Sequence, residues 1–366
     1  ACRECTLPLV EMERHHTKYA LVGGSIETIW QRPPGRDDAA VKGAVFFAHG
    51  CKHHATDAVS PHGEDGLDAE VCKQSVVGDC YGLPEESQMR REAISRGYLF
   101  IAVSAADQPQ SCWKSQDDAR VLQSVRHVLA AERLPENTSI IAVGSSSGGA
   151  LLGRLARNVE DGGLPNLVCI APHNMFVRDS LNRGVPTLFV HMPRDTNTAT
   201  KVAENLAALG RRGIHTREMQ VQPVPVTAEY LRPCLPVDVA TDVVKVMTDD
   251  GFLDPQGYLL QDSKRYRWSE AVRRVVSGRV DDTLAPEVSC LAEQLHVAYA
   301  YHQFTAKHAQ EVFAFCEGEG RYGSTTGELQ GPSGALDGQQ VGAVVLTSLG
   351  FVIVAAAMAI RRSGMG

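Results

Sequence analysis

The stretch AVGSSSGGAL, residues 142–151, follows an apolar run and precedes a segment with a helical pattern. Residues 144–148 within it fit the pattern G-x-S-x-G, in which a serine stands on a sharp turn between a strand and a helix. Such a turn needs small neighbours because it is tight and other backbones pass close to it. A plain Ser/Gly loop is the alternative, so the prediction depends on the flanking strand and helix. We predict that Ser146 is a nucleophile with an exposed hydroxyl.

Short apolar segments alternate with amphipathic ones on both sides of this turn. The predicted strands are 43–50, 98–105, 139–145, 166–173 and 185–192, and 217–226 is compatible with one more. The predicted helices are 86–97, 117–132, 148–159 and 199–213. Continuous apolar strands separated by helices predict an α/β fold with a mostly parallel central sheet flanked by helices. Functional groups in such a sheet gather at the carboxyl ends of the strands.

Residues 227–300 break this alternation and have a mostly helical pattern, which predicts a helical insertion or cap. A domain of residues 1–316 is then followed by a flexible linker at 317–340, rich in Gly, Ser and Thr. Residues 341–360 carry no charge. At about 1.5 Å per residue this stretch spans roughly 30 Å, the thickness of the bilayer hydrocarbon. We predict a single transmembrane helix there, with a buried core helix as the alternative.

The charges next to the predicted span suggest its orientation. Arg361 and Arg362 follow it directly, whereas the preceding linker contains only Arg321. Because positive residues favour the cytoplasmic side, the C-terminus is expected in the cytosol or stroma. The large domain is then expected in a lumen or outside the cell. A tail anchor that carries a cytosolic domain is the competing topology.

Composition and cysteine content narrow the class of protein. The chain has 366 residues, 43% hydrophobic and 22% charged, with a net charge of −7. This balance is typical of globular proteins, and the acidic charge argues against nucleic acid as a partner. Among the ten cysteines, Cys72 and Cys80 flank a turn-like segment and are candidates for a disulfide, with free thiols as the alternative. Cys2 and Cys5 form a single CxxC, so we predict no metal and no cofactor.

A serine nucleophile needs a base, and the base needs an acid to orient it. Asp195 follows the predicted strand 185–192 and so stands at a carboxyl end of the sheet. We predict that it is the acid, although capping of the next helix is a rival role. Asp179, after the preceding strand, is the second choice.

The base has thirteen histidine candidates. His302, in YAYHQFT, falls in a break before the last amphipathic helix, which Thr305 is predicted to cap. A base at that point fits the chain order Ser, acid, His, so we predict His302. His296 and His308 lie six residues to either side in helical patterns and are the alternatives.

The developing oxyanion needs two backbone donors. Ser147, directly after the predicted nucleophile, supplies one N–H. The second N–H is predicted from Cys51. It lies in the loop at the end of the predicted strand 43–50, and this loop begins with His49 and Gly50. A polar loop or an adventitious metal site is the alternative role of the histidines at 49, 53 and 54, although no carboxylate lies at metal spacing.

Taken together, these motifs resemble those of the α/β-hydrolase superfamily. The resemblance covers about residues 40–316 and rests on HG at 49–50, GSSSGG at 144–149, the strand before Asp195 and YAYHQFT before the last helix. It implies an α/β-hydrolase fold, a triad of Ser146, Asp195 and His302, and an oxyanion hole at Cys51 and Ser147. The stretch between the last predicted strand and the histidine is long, where the family usually has a short loop.

The expected function is a membrane-anchored serine hydrolase that cleaves a carboxylic ester, or a related acyl bond, through an acyl-enzyme. Its substrate would be a small-molecule or lipid-like ester. One alternative is a catalytically inactive hydrolase fold that serves as a subunit of a membrane protein complex. Another is a redox or metal protein built on Cys2, Cys5 and the histidine-rich loop, whose ligand spacing is poor.

Overall fold

The computed structural model describes residues 17–34, 41–59, 68–75, 80–106, 110–177, 181–265, 267–279, 284 and 287–318. The predicted transmembrane helix 341–360, the linker 317–340 beyond residue 318, Cys2, Cys5 and Asp179 lie outside the described residues. None of the helices in the described part is long and apolar enough to cross a membrane.

The described residues form one sheet of eight strands in the order β1-β2-β4-β3-β5-β6-β7-β8. The strands are β1 (Lys18–Val22), β2 (Ile26–Gln31), β3 (Gly43–Ala48), β4 (Tyr98–Val103), β5 (Ile140–Ser145), β6 (Leu167–His173), β7 (Thr187–His191) and β8 (Thr216–Gln220). β2 is antiparallel to both of its neighbours, β1 and β4, and the pairs from β4 to β8 are parallel. The predicted mostly parallel sheet is confirmed.

Two strands, β1 and β2, were not predicted from the sequence. β2 reads IETIWQ, so Glu27 and Thr28 interrupt the apolar run that marks a buried strand. Both side chains are nevertheless buried, and each has a hydrogen-bond partner there. Ser104 donates to Glu27 at 2.6 Å, and Thr28 bonds to Ser124 at 3.0 Å. Those partners lie directly after β4 and in a helix far along the chain, and no local pattern in β2 indicates them.

The described helices lie on both faces of the sheet and within the insertion. They are α1 (Asp68–Gln74), α2 (Pro84–Ser95), α3 (Asp117–Ala131), α4 (Ser147–Leu155), α5 (Thr196–Arg211), α6 (Val237–Asp249), α7 (Trp268–Val276), α8 (Cys290–Tyr299) and α9 (Ala309–Cys316), with a short 3₁₀ helix at Ala55–Ala58. The predicted helices are present with shifted ends. The predicted strand 217–226 stops at Gln220 because Pro223 and Pro225 have no N–H for the sheet.

Alternate residues of the central strands point to two apolar cores. On β3, Val45 and Phe47 face the core beneath α2 and α9, while Phe46 faces the core beneath α3, α4 and α5. The insertion has a separate apolar cluster, which includes Leu231 and Trp268. The insertion therefore buries its own side chains as well as connecting β8 to α9.

Four disulfides cross-link the described residues. The predicted pair Cys72–Cys80 is present. The others are Cys51–Cys112, Cys169–Cys316, which joins β6 to α9, and Cys234–Cys290, which closes the insertion on itself.

Candidate active site

The turn between β5 and α4 has the strained geometry that the sequence pattern predicts. Ser146 stands between the two elements with φ 50° and ψ −112°. A non-glycine residue there costs energy, and such strain is concentrated at functional sites. A Cβ at Gly148 would lie 2.2 Å from the carbonyl oxygen of Ala48, and one at Gly144 would lie 2.8 Å from that of Gly148. The close approach of other backbone atoms thus explains why positions 144 and 148 are glycines.

Three of the predicted site residues meet at the carboxyl edge of the sheet. His302 Nε2 lies 3.0 Å from Ser146 Oγ, and His302 Nδ1 lies 2.6 Å from Asp195 Oδ2. Asp195 also accepts the N–H of Thr198 at 3.1 Å and its hydroxyl at 2.6 Å. The helix-capping role and the contact with histidine, treated above as rivals, therefore occur together in Asp195.

The electrostatics of this chain of contacts fix the direction of its hydrogen bonds. Burial alone would raise the pKa of the Asp195 carboxyl, but the hydrogen bonds from Thr198 and His302 outweigh it and hold the pKa below its usual value. An ionised Asp195 accepts a hydrogen bond from the Nδ1–H of His302, which leaves Nε2 free to accept one from the hydroxyl of Ser146. The His302 side chain remains 33% exposed.

The long insertion leaves the sheet and returns to almost the same place. Just before its start, the N–H of Val224 donates to the carbonyl of Ala298 near its end, at 3.1 Å. Arg194, next to Asp195, donates to the carbonyl of Tyr299 at 2.9 Å. The end of α8 is therefore held beside the acid loop. This closure explains how a histidine so far beyond the last strand reaches the site.

The loop after β3 is tied firmly to the segment that precedes α3. Cys51 forms a disulfide with Cys112, and the N–H of Lys52 donates to the carbonyl of Gln110 at 2.7 Å. Trp113 Nε1 donates to the carbonyl of His49 at 2.9 Å. The backbone N–H of Trp113 also donates to Ser147 Oγ at 3.4 Å, which links this loop to the nucleophile turn.

The histidines of this loop have distinct structural partners. His49 Nε2 accepts the N–H of Ala105 at 3.0 Å, so its Nδ1 is the donor to the carbonyl of Gly50 at 2.6 Å. Burial lowers the pKa of His49 to about 3, which keeps it neutral. His53 instead faces the carboxylate of Asp57 at 2.9 Å. Among the described residues, no group of three metal-ligating side chains could hold an ion.

The alternative bases lie elsewhere. His296 is 3% exposed within α8, and burial lowers its pKa to about 3. His308 stands at the start of α9, where its Nδ1 lies 3.4 Å from Glu311. The prediction that Thr305 caps α9 was wrong, because its hydroxyl donates to Glu85 Oε2 at 2.9 Å and α9 begins only at residue 309.

Thr198 is a site residue that the sequence analysis missed. It gives Asp195 two hydrogen bonds and so stabilises the carboxylate form. A signal was present, because a residue three positions after a helix-capping Asp offers its N–H to that Asp.

Neither a protein-family model nor a curated protein sequence matches this chain. Solved structures that match part of this chain include a thermostable esterase, at 15% identity over 58% of this chain and 56% of that one, with a TM-score of 0.38. This chain therefore matches little more than half the length of that esterase. A thermophilic esterase from the planctomycete Thermogutta terrifontis is 12% identical over 58% of this chain and 83% of its own, with a TM-score of 0.39. Dienelactone hydrolase from Anabaena variabilis is 13% identical over 57% and 87%, with a TM-score of 0.37.

These likenesses are distant, so the class of fold depends on features within this chain. The sheet is mostly parallel, a strained serine joins β5 to α4, and acid and histidine follow the serine in chain order. This is the architecture of the α/β-hydrolase fold.

Proposed function

We propose that the protein is a serine hydrolase that cleaves carboxylic esters. The observation that supports this proposal most directly is His302, whose two ring nitrogens lie within hydrogen-bonding distance of Ser146 and Asp195. A hydroxyl, an imidazole and a carboxylate in this order are the groups that acyl transfer by a serine requires.

In the proposed mechanism, Ser146 Oγ attacks the ester carbonyl while His302 Nε2 takes its proton. Asp195 holds the ring in the correct tautomer and stabilises the imidazolium. The N–H groups of Ser147 and Cys51 stabilise the oxyanion. The imidazolium then protonates the departing alcohol, which leaves an acyl-enzyme. Water attacks the acyl-enzyme with the same base, releases the carboxylic acid and restores the serine.

The substrate is proposed to be a small-molecule or lipid-like ester, and amides or thioesters would use the same groups. The end of the insertion 227–300 lies beside the acid loop, where Arg194 donates to the carbonyl of Tyr299. We propose that this insertion caps the site and contributes to the choice of acyl or alcohol group.

A fluorophosphonate probe tests the proposed nucleophile. Wild-type protein should be labelled at Ser146, and Ser146→Ala should abolish the labelling. Ser145→Ala is the matched control, because it removes the neighbouring buried hydroxyl and should leave labelling unchanged. Well-folded wild-type protein that does not label would contradict the proposal and favour a catalytically inactive subunit of a membrane complex.

We also propose that residues 341–360 anchor the enzyme in a membrane, with the catalytic domain on the lumenal or extracellular side. The uncharged stretch and the following Arg361 and Arg362 support this proposal. Four disulfides fit an oxidising compartment. Full-length protein should stay with membranes in alkaline carbonate, and its domain should resist protease until the vesicles are opened. Release of the protein by carbonate would contradict the anchor. Digestion of the domain while the vesicles are intact would contradict the orientation.

A further inference from the structure

The carboxyl end of β6 contacts the nucleophile turn through its backbone. The carbonyl of His173, the last residue of β6, accepts the N–H of Ser146 at 2.9 Å. Asn174 follows directly, is 2% exposed and has φ 50°. Its own N–H donates to the carbonyl of Val190 on β7 at 2.7 Å. Asn174 is therefore fixed between the centre of the sheet and the site.

The Asn174 side chain joins the two other segments of the site. Its Nδ2 donates to the carbonyl of Gln303, the neighbour of His302, at 2.6 Å. Its Oδ1 accepts the N–H of Met192, just before the loop that carries Asp195, at 3.1 Å. One buried amide thus connects the histidine segment to the acid segment.

Few side chains could replace this amide. The carbonyl of Gln303 requires a donor and the N–H of Met192 requires an acceptor, and the two arms of an Asn amide supply one of each. An ionised Asp would keep the acceptor but turn an oxygen towards the carbonyl. The backbone sets a second condition, because φ 50° lies in the left-handed region, where Asn is several-fold enriched over most other non-glycine residues.

We propose that Asn174 is a positioning residue, which keeps the segment of His302 in register with the segment of Asp195. The inference deepens the proposed function and rests on it, yet its structural content can be measured without turnover. A side-chain change at Asn174 leaves the backbone bond from Ser146 to His173 in place. The histidine side of the site should therefore be affected more than the nucleophile side.

The test compares Asn174→Asp and Asn174→Gly with matched controls in the full-length chain. Asn174→Gly accepts the left-handed backbone and guards against a variant that fails to fold. Asn182→Asp is the control for the first variant, because Asn182 is fully buried and donates to the carbonyl of Val185 at the amino end of β7. Asn166→Gly is the control for the second variant. Asn166 lies just before the amino end of β6, has φ 55° and donates to the carbonyl of Glu136.

Two readouts are needed. The first is the proton NMR resonance of the His302 Nδ1–H group, which a hydrogen bond to Asp195 shifts far downfield. The second is the rate constant of fluorophosphonate labelling. We expect both Asn174 variants to lose or broaden the resonance and to label roughly 10- to 100-fold more slowly, since small misplacements of reacting groups are costly. Both control variants should keep the resonance and the wild-type rate.

An unchanged resonance and labelling rate in folded Asn174→Gly would overturn the inference. Equal losses in the control variants would also overturn it, because they would show general destabilisation instead of positioning. If the wild type shows the resonance but does not label, the proposed function fails. The resonance of the Asn174 variants then still decides the positioning role.

Discussion

The nucleophile side and the histidine side of the site are built in different ways. Ser146 stands on a tight turn in which close backbone contacts require Gly144 and Gly148, and the contact of Gly148 is with Ala48 on β3. His302 follows the insertion, and its bond to Asp195 spans 107 residues of sequence. The next residue, Gln303, accepts a hydrogen bond from Asn174, which lies 129 residues away in the sequence. Close backbone contacts thus set the first side, and long-range side-chain contacts set the second.

This difference means that the two sides should fail in different ways. A change at the nucleophile turn forces backbones apart and should lower the stability of the whole sheet. A change on the histidine side removes a side-chain contact, so the fold can survive while the geometry of the site is lost. Four predictions test this contrast, beginning with the largest expected effect.

Asp195→Asn should slow fluorophosphonate labelling by roughly 10⁴-fold, because an amide at this place leaves the histidine in the wrong tautomer. Asp117→Asn is the control. Asp117 is also buried and accepts a backbone N–H, that of Lys114 at 2.8 Å, beside the start of a helix. It should label within about tenfold of wild type, since losing a hydrogen bond of this kind costs only roughly 1–3 kcal/mol of stability. Comparable slowing in both variants would show that the loss at Asp195 comes from its backbone hydrogen bond and not from its contact with His302.

Replacing Cys234 and Cys290 together by Ser should lower the free energy of unfolding by about 2–4 kcal/mol, the usual cost of losing a native cross-link. The pair closes 56 residues of the insertion, whereas the control pair Cys72 and Cys80 closes 8. The control should cost about 1.7 kcal/mol less, because its shorter loop loses less closure entropy. Urea unfolding measures both, and a larger cost for the short loop would contradict the entropic argument.

Gly148→Ala should lower the free energy of unfolding by about 1–3 kcal/mol, because overpacking forces neighbouring backbones to shift. Its Cβ would lie 2.2 Å from the carbonyl oxygen of Ala48. Gly210→Ala, within α5, meets no atom within 4 Å and should instead raise the stability by roughly 0.5–1 kcal/mol. Opposite signs in urea unfolding are expected, and equal signs would contradict the account of the turn.

The smallest expected effect is a pH dependence at the loop after β3. Burial alone would lower the pKa of His53, but the Asp57 carboxylate outweighs it and raises the pKa. A raised pKa stabilises the fold fully below the unfolded-state pKa, and this stabilisation disappears as the pH rises through the folded-state pKa. His53→Gln should therefore cost more stability at roughly pH 6 than at roughly pH 9. A cost that does not vary with pH would refute the charged pair.

The sequence could predict those parts of the site that depend on neighbouring residues. The apolar run before Gly144 and the helical pattern after Gly148 were enough to predict the turn, and Asp195 was predicted because it follows a strand. By contrast, nothing adjacent to Asn174 signals its role, because both of its side-chain partners are brought to it by the fold. The burial of Glu27 in β2 likewise depends on a serine 77 residues away.

The disulfide between Cys169 and Cys316 has a mechanical consequence. It joins the last described helix directly to β6, a strand that is paired on both sides by β5 and β7. Tension applied to the chain beyond residue 316 would pass through this covalent bond into the centre of the sheet. The segment that carries His302 lies upstream of the bond and would bear little of that load. A pull on the C-terminal end would therefore be carried by β6 and its neighbouring strands and not by the segment of His302.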